Sequence, residues 1–310
     1  MNHQGRLEFK VTRILLLFIF LISGVIQAKQ EVDLGFVPKN NQVVSKEKIV
    51  LIDEAHHNFH TLDGRYKPFA KVLESAGYSV EKNINKFTSK SLENVDVLVI
   101  ANALDEKNVK NHDLPNFSAF TQKEVEVVHH WVKNGGSLLL IADHLPWPKA
   151  SDSLASTFGF QFNNSYVEVL GSSEQYFEVA DKSLVEHKIL KGLTGTTKIT
   201  KIRGFMGQAF LSPPDAKPLL VFSKSAVAYM PSKAWDITDD TPTISAVGWH
   251  QGATLDFYKG RVAFFGEAGM FTAQVDNDEN EQWKMGMNAK GAEQNEQFLL
   301  NTMYWLSNII

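Results

Sequence analysis

The chain alternates short, continuously apolar runs with amphipathic stretches, and these two periods separate strands from helices. "KIVLID" (48–53) is an apolar run of strand length. "YKPFAKVLESAGYSV" follows with Pro68 near a helix start and Gly77 at its stop, and leads into a second strand near 78–84. "VDVLVIANA" (95–103) and "SLLLIADH" (137–144) are too continuously apolar to have one wet face, so both read as buried parallel strands. Between them "TQKEVEVVHHWVKNGG" sets Thr121 and Glu124 at capping-box spacing and stops at Gly135-Gly136. "GRVAFFGEAGMF" (260–271) supplies a late buried strand. "AEQNEQFLLNTMYWLSNI" (292–309) reads as a closing amphipathic helix with Phe298, Leu299, Thr302 and Leu306 on one side.

Strands alternating with helices of about 11 residues predict an α/β fold, a flavodoxin-like, open, mostly parallel sheet with helices on both faces. Residues 150–258 are less regular, with turn signals at "LSPPD" and "DITDDTPT". They read as an irregular β-rich elaboration inside a single domain spanning 47–310. Residues 29–46 are a polar leader without a packing signal.

The first 28 residues differ from all of these. Arg6, Lys10 and Arg13 lead into "ILLLFIFLISGVI" and then "QAK", the plan of a secretory signal peptide cleaved after Ala28. The apolar run of about 13 residues is short against the roughly 20 that a spanning helix needs. Export to the periplasm or medium is therefore expected, with no stable membrane insertion once the signal is removed. An uncleaved segment, the alternative raised by Ile26 at the −3 position, would leave a membrane tether.

Composition narrows the partners. The 310 residues are 44% hydrophobic, enough for a substantial core, and 31 basic against 35 acidic residues give a net charge of −4. No basic field draws this chain onto phosphate backbones, so nucleic acid is not an expected partner. There is no cysteine, which excludes disulfides, thiolate metal sites and a cysteine nucleophile.

In an open parallel sheet, ligands gather outside the carboxyl ends of the strands. The ionisable residues fall there. The first strand ends in Asp53, Glu54, His56, His57 and His60, the third runs to Asn102 and Asp105, the fourth to Asp143 and His144, and the late strand to Glu267. Four segments converging on one edge predict a pocket.

Three readings of these groups stand side by side. Imidazole and carboxylate suit a divalent metal such as zinc, iron or manganese, with His56, His57 and His60 as ligands, although their spacing matches no zinc signature. Without a metal, Asp143, His144 and Glu267 form a catalytic acid/base set. In the third reading Asp53 and Asp143 cap the loops after their strands while the histidines bind backbone and water.

Other polar features have plainer readings. His129 and His130 diverge by about 100° on their helix, so at most one faces inward. "DNDENE" (276–281) lacks the sixth-position glycine of an EF-hand loop and reads as a solvated acidic loop. Trp147 could stack on a sugar ring or pack within its loop. No "GxSxG", P-loop or "GxGxxG" motif is present.

Several segments resemble the class I glutamine-amidotransferase-like superfamily, particularly its ThuA-like (trehalose utilisation) and related exported branches. The first βα unit, "DEAHHNFHT…FAKVLESAGYSV", carries the likeness, together with "EHKILKGL" (186–193), "YKGRVAFFGEAGMF" and "NEQFLLNTMYWLS". The resemblance implies an amidotransferase-like fold, a histidine-rich first loop at His56, His57 and His60, and carbohydrate-related chemistry. Asp143-His144-Leu145 stands where that superfamily places its cysteine elbow, so thiolate hydrolysis of glutamine does not transfer. Lys188 stands where the resemblance expects proline. The function expected is an exported, hydrolytic, metal-assisted enzyme acting on a carbohydrate or other polar small molecule. A non-catalytic cell-envelope binding or scaffold protein on the same fold is the alternative.

Overall fold

The computed structural model describes residues 30–39, 43, 47–193, 198–223, 225–277 and 282–310. The signal-peptide expectation lies outside these residues, as do residues 278–281 of the acidic loop.

Strand β1 (Gln30–Val32) precedes the first βα unit, in which β2 (Lys48–Asp53) passes through α1 (Lys67–Ser75) to β3 (Tyr78–Asn83). Then come β4 (Val97–Ala101), α2 (Gln122–Lys133), β5 (Ser137–Ile141) and α3 (Trp147–Ala155). The irregular region holds β6 (Tyr166–Val169), β7 (Gln175–Glu178), the single turn α4 (Lys188–Lys191) and β8 (Lys201–Gly204). It continues with β9 (Lys217–Val221), β10 (Ala226–Tyr229) and β11 (Thr243–Ser245). A hairpin of β12 (His250–Phe257) and β13 (Gly260–Phe265) is followed by β14 (Ala273–Asn277), β15 (Gln282–Gly286) and the closing helix α5 (Asn295–Leu306).

Seven strands form the central sheet in the order β3-β2-β4-β5-β13-β12-β9. The five from β3 to β13 are parallel, and β12 and β9 are antiparallel additions. The parallel part has the flavodoxin order, with its switch point between β2 and β4. Alternate residues feed two cores. Val50, Ile52, Val99, Ile141 and Phe265 meet α1 and α5 on one face. Leu51, Leu98, Ile100, Leu140 and Phe264 meet α2 and α3 on the other. Both faces are covered, which is why the strands read as unbroken apolar runs.

Local chemistry sets the helix ends. Thr121 Oγ1 accepts the Glu124 N–H while the Glu124 carboxylate accepts the Thr121 N–H, a completed capping box. Thr121→Ala should lower stability by about 1 kcal/mol, measured as a shift in the urea midpoint with an unchanged slope. α1 carries Pro68 in its first turn and ends before Gly77, whose φ of 87° only glycine adopts readily.

Residues 150–258 hold the expected β-rich elaboration, and two of its strands, β9 and β12, extend the main sheet. Two sequence expectations are corrected. The leader packs: β1 pairs antiparallel with β14, and Phe36 is buried. The closing helix is buried nearly all round, not amphipathic, because α1, α4 and β8 cover the side that carries its polar residues. Those residues are satisfied inside: Asn295 pairs with both backbone groups of Arg203, and Asn301 donates to the Ile189 carbonyl.

Candidate functional site

The carboxyl edge of the sheet begins with Asp53, the last residue of β2. Its Oδ1 accepts from the Asn83 side chain at 3.1 Å and its Oδ2 meets His56 Nδ1 at 2.8 Å. His56 Nε2 lies 2.9 Å from Glu124 Oε1. All three side chains are buried. A neutral imidazole has one N–H, whereas here two carboxylates each require one, so His56 is an imidazolium spanning two anions. Burial works against that charge, but the Asp53 and Glu124 carboxylates outweigh it and raise the His56 pKa. Burial opposes ionised Glu124 as well, yet donors from Thr121 and His56 hold its pKa below the ordinary value. Phe87 and Phe120 pack on the ring with centroids at 4.8 Å. Both His56 nitrogens are occupied, and the residue ties the first loop to the start of α2.

The neighbouring histidines point elsewhere. His57 sits at φ 47°, a left-handed conformation, and is exposed. His60 is buried against Tyr66, with centroids 4.8 Å apart. Asn102, at φ 51° just past β4, uses its Oδ1 to accept the Asp143 N–H at 2.9 Å and its Nδ2 to donate to His60 Nδ1 at 3.2 Å. His60 is thereby fixed as the Nε2–H tautomer. Burial, with the nearby Arg65 and His144, pushes its pKa down to about 3.

The expected metal site on His56, His57 and His60 is therefore corrected. One imidazole is saturated by carboxylates, one faces solvent and one is held by Asn102. Among the described residues no three His, Cys, Asp or Glu side chains are grouped to share an ion. The donors present do not fit a three-ligand metal site.

Asp143, His144, His60 and Glu267 do assemble at one edge. His144 stacks on Tyr166 with centroids 4.4 Å apart and planes at 17°, and touches Trp147 and Trp235 at 4.9 and 4.5 Å. Its Nδ1 donates to the Leu145 carbonyl at 2.9 Å, so Nε2 carries the lone pair, 4.0 Å from Asp143 Oδ1. Burial lowers the His144 pKa, only partly offset by Asp143. The ring is neutral. Asp143 Oδ1 also accepts the His144 N–H at 2.9 Å, the loop-capping contact foreseen for it. Asp143 does not have the left-handed backbone of a strained nucleophile elbow; that conformation belongs to Asn102 on the neighbouring strand.

Glu267 caps the turn after β13. Its Oε1 accepts the Gly269 N–H and its Oε2 the Met270 N–H at 2.8 Å. Burial, reinforced by Asp143, pushes its pKa well above the ordinary carboxylate range against these donors. Both oxygens are committed to the backbone.

The edge is a packed floor and not the open pocket expected, with His60, His144 and Glu267 exposed by only 3%, 7% and 2%. A surface cavity of about 290 Å³ lies at the opposite, amino edge, between Lys48, Asp96, Ser137 and Asn308. Trp147 is buried, which answers its two readings in favour of packing. Trp235 covers His144 from outside, is 62% exposed, and holds φ 65° while its N–H donates to Tyr166 Oη at 3.2 Å. An exposed aromatic on left-handed backbone marks a functional candidate. Neither Trp235 nor Tyr166 is marked in the sequence, since "KAWDITDD" offers only turn residues around a lone aromatic, while Asn102 and Glu124 are legible there only as a strand end and a helix cap.

Elsewhere the plainer readings describe the observed positions. His129 is partly buried against Phe158 and Phe257 while His130 is exposed. His187 caps α4 through Nδ1, so helix starts at Lys188, where the resemblance expected proline.

No protein-family model and no curated protein matches the chain. Solved structures do. The mmIFT52 N-terminal domain is similar at 15% identity with a TM-score of 0.60, over 83% of this chain and 97% of that one. A thua-like protein from Bacteroides uniformis aligns at 14% identity and TM-score 0.46, over 88% and 95% of the two chains. The cytoplasmic protein STM1381 from Salmonella typhimurium aligns at 14% and 0.44, over 84% and 98%. The likeness at TM-score 0.60 is one of fold.

Proposed function

We propose that this chain is an exported binding protein that seats a hydroxylated small molecule or carbohydrate at the carboxyl edge, between the Trp235 ring and the Asp143 carboxylate. The observation that carries this reading is the commitment of the other ionisable groups to the fold. His56 bridges two carboxylates, Glu267 binds two backbone N–H groups, and His60 is held by Asn102. What remains at the surface is the exposed Trp235 indole over His144, whose Nε2 lies 4.0 Å from the partly buried Asp143 carboxylate, an apolar face and an acceptor of the kind that recognises a sugar face and its hydroxyls. Export rests on the first 28 residues alone.

In a glycan-array screen followed by calorimetry, Trp235→Ala should weaken binding at least about tenfold, the equivalent of about 1.4 kcal/mol, with little change in melting temperature. Equal binding by the variant would end this reading.

Catalysis is the second reading, favoured by neutral His144 with its unprotonated Nε2 4.0 Å from Asp143. Here His144 takes a proton from water and Asp143 steadies the resulting imidazolium. Asp143→Asn separates the two readings, because hydrolysis of the bound glycoside would fall by orders of magnitude under catalysis. Under binding alone, wild type and variant both leave the glycoside intact.

A further inference from the structure

A second surface cavity, of about 390 Å³, opens at the tip of the β12–β13 hairpin, on the amino edge of the sheet and away from Trp235. Its walls include Phe158, just past α3, with Leu255, Phe257 and Tyr258, and the Asp215 and Asp256 carboxylates stand beside them. The size is that of a small-molecule site.

The aromatic rings stand nearly at right angles in turn. Phe158 and Phe257 have centroids 5.0 Å apart with planes at 75°, and Phe257 and Tyr258 have centroids 5.0 Å apart with planes at 81°. Walls turned in this way offer a guest π-faces on more than one side, and because each face is electron-rich a cation gains most from them. His129 packs on Phe158 and Phe257 at 5.5 and 5.2 Å. Burial, with Lys133 and His130 nearby, lowers its pKa, so this ring is neutral and does not repel a cation. Tyr258 stands at the rim, 75% exposed, and holds φ 52° in the hairpin turn, where Asn or Gly would sit without strain. The Nζ of exposed Lys133 lies 4.6 Å from its centroid, so the ring already draws a cation.

The acceptors decide which cation fits. Asp256 is committed to Lys217 at 3.2 Å and Arg261 at 3.4 Å. Asp215 is exposed and has no ion-pair partner among the described residues. A primary ammonium needs acceptors for three N–H groups, whereas a quaternary ammonium needs none and asks only for π-faces and a balancing charge.

We propose that this cavity binds a small molecule bearing a quaternary ammonium group, with Phe158, Phe257 and Tyr258 as its cage and Asp215 as its counter-ion. The site is separate from the Trp235–Asp143 surface and does not depend on its function.

The test titrates the full chain, at fixed ionic strength, with choline chloride and with the neutral tert-butyl analogue of choline, which keeps the shape and lacks the charge. Aromatic ¹H–¹³C resonances of Phe158, Phe257 and Tyr258 report binding. The expected result is a saturable shift of these rings with choline, and binding of the neutral analogue weaker by at least about fivefold. Tyr258→Ala should weaken choline binding by a similar factor, Tyr258→Phe should retain it, and Asp215→Asn should weaken it. Both positions are exposed, so these variants should fold, and Trp235→Ala should bind choline as the wild type does. Three results overturn the proposal: no saturable shift of the three rings with choline, equal affinity for choline and its neutral analogue, or unchanged choline affinity in either Tyr258→Ala or Asp215→Asn.

Discussion

Replacing His56 with alanine should destabilise the protein by about 3–5 kcal/mol, because it leaves Asp53 and Glu124 buried without the cation between them. The imidazolium is held at 2.8 and 2.9 Å by two carboxylates that are themselves almost fully buried, so solvent screens little of the interaction. Loss of one partner is worse than loss of the set. Hence His56→Leu combined with Glu124→Gln should recover part of the deficit, as only one buried carboxylate then remains. Urea unfolding of the single and double variants measures both effects. Equal stability of His56→Ala and wild type would refute the ion triad.

The triad also fixes a pH dependence. The His56 pKa is raised from 6.5, so its contribution is complete below 6.5 and is lost as pH climbs through the higher folded value. The Glu124 pKa is lowered from 4.5, so its contribution is present above 4.5 and is lost as pH falls through the lower folded value. Stability from this cluster should be greatest between about pH 4.5 and 6.5. His56→Ala should flatten the alkaline side of the profile.

Gly207→Ala should be comparably damaging, by about 3 kcal/mol or more. The residue holds φ 99°, and an added Cβ would stand 2.1 Å from the Gly266 carbonyl oxygen and 2.9 Å from Glu267 Cβ. Backbone oxygen cannot yield as a flexible side chain can. The segment from Phe205 to Gln208 would be pushed off the β13 turn, disturbing the Gln208 N–H bond to Gly266 O at 2.8 Å. A melting-temperature drop of several degrees, with loss of the Glu267 environment seen by NMR, is the expected outcome.

The fold was legible because its strands are buried on both faces. "KIVLID" marks β2 residue for residue, and the Thr121–Glu124 spacing marks the start of α2. What sequence could not display was pairing over distance. The sequence marks Glu124 only as a capping residue, yet it also closes on His56 from 68 positions away. β1 spans three residues, too short for any period, and gains its place only by pairing with β14. α5 looked amphipathic because Asn295 and Asn301 are polar, and their backbone partners come from β8 and α4. At the edge, the placement of Asp143, His144 and Glu267 followed from the strand ends. Their engagement did not, because adjacent histidines in one loop can be an ion-pair centre, a solvent-facing ring and a hydrogen-bond acceptor in turn.

The protonation of the edge histidines tests the central claim, that the histidine-rich first loop holds the fold together and does not bind metal. In a long-range ¹H–¹⁵N spectrum at neutral pH, His56 should show both nitrogens protonated, His60 a neutral ring with its proton on Nε2, and His144 a neutral ring with its proton on Nδ1. Stoichiometric zinc should leave all three unchanged. A neutral His56, or a His56 or His60 resonance that shifts stoichiometrically with zinc, would contradict the account.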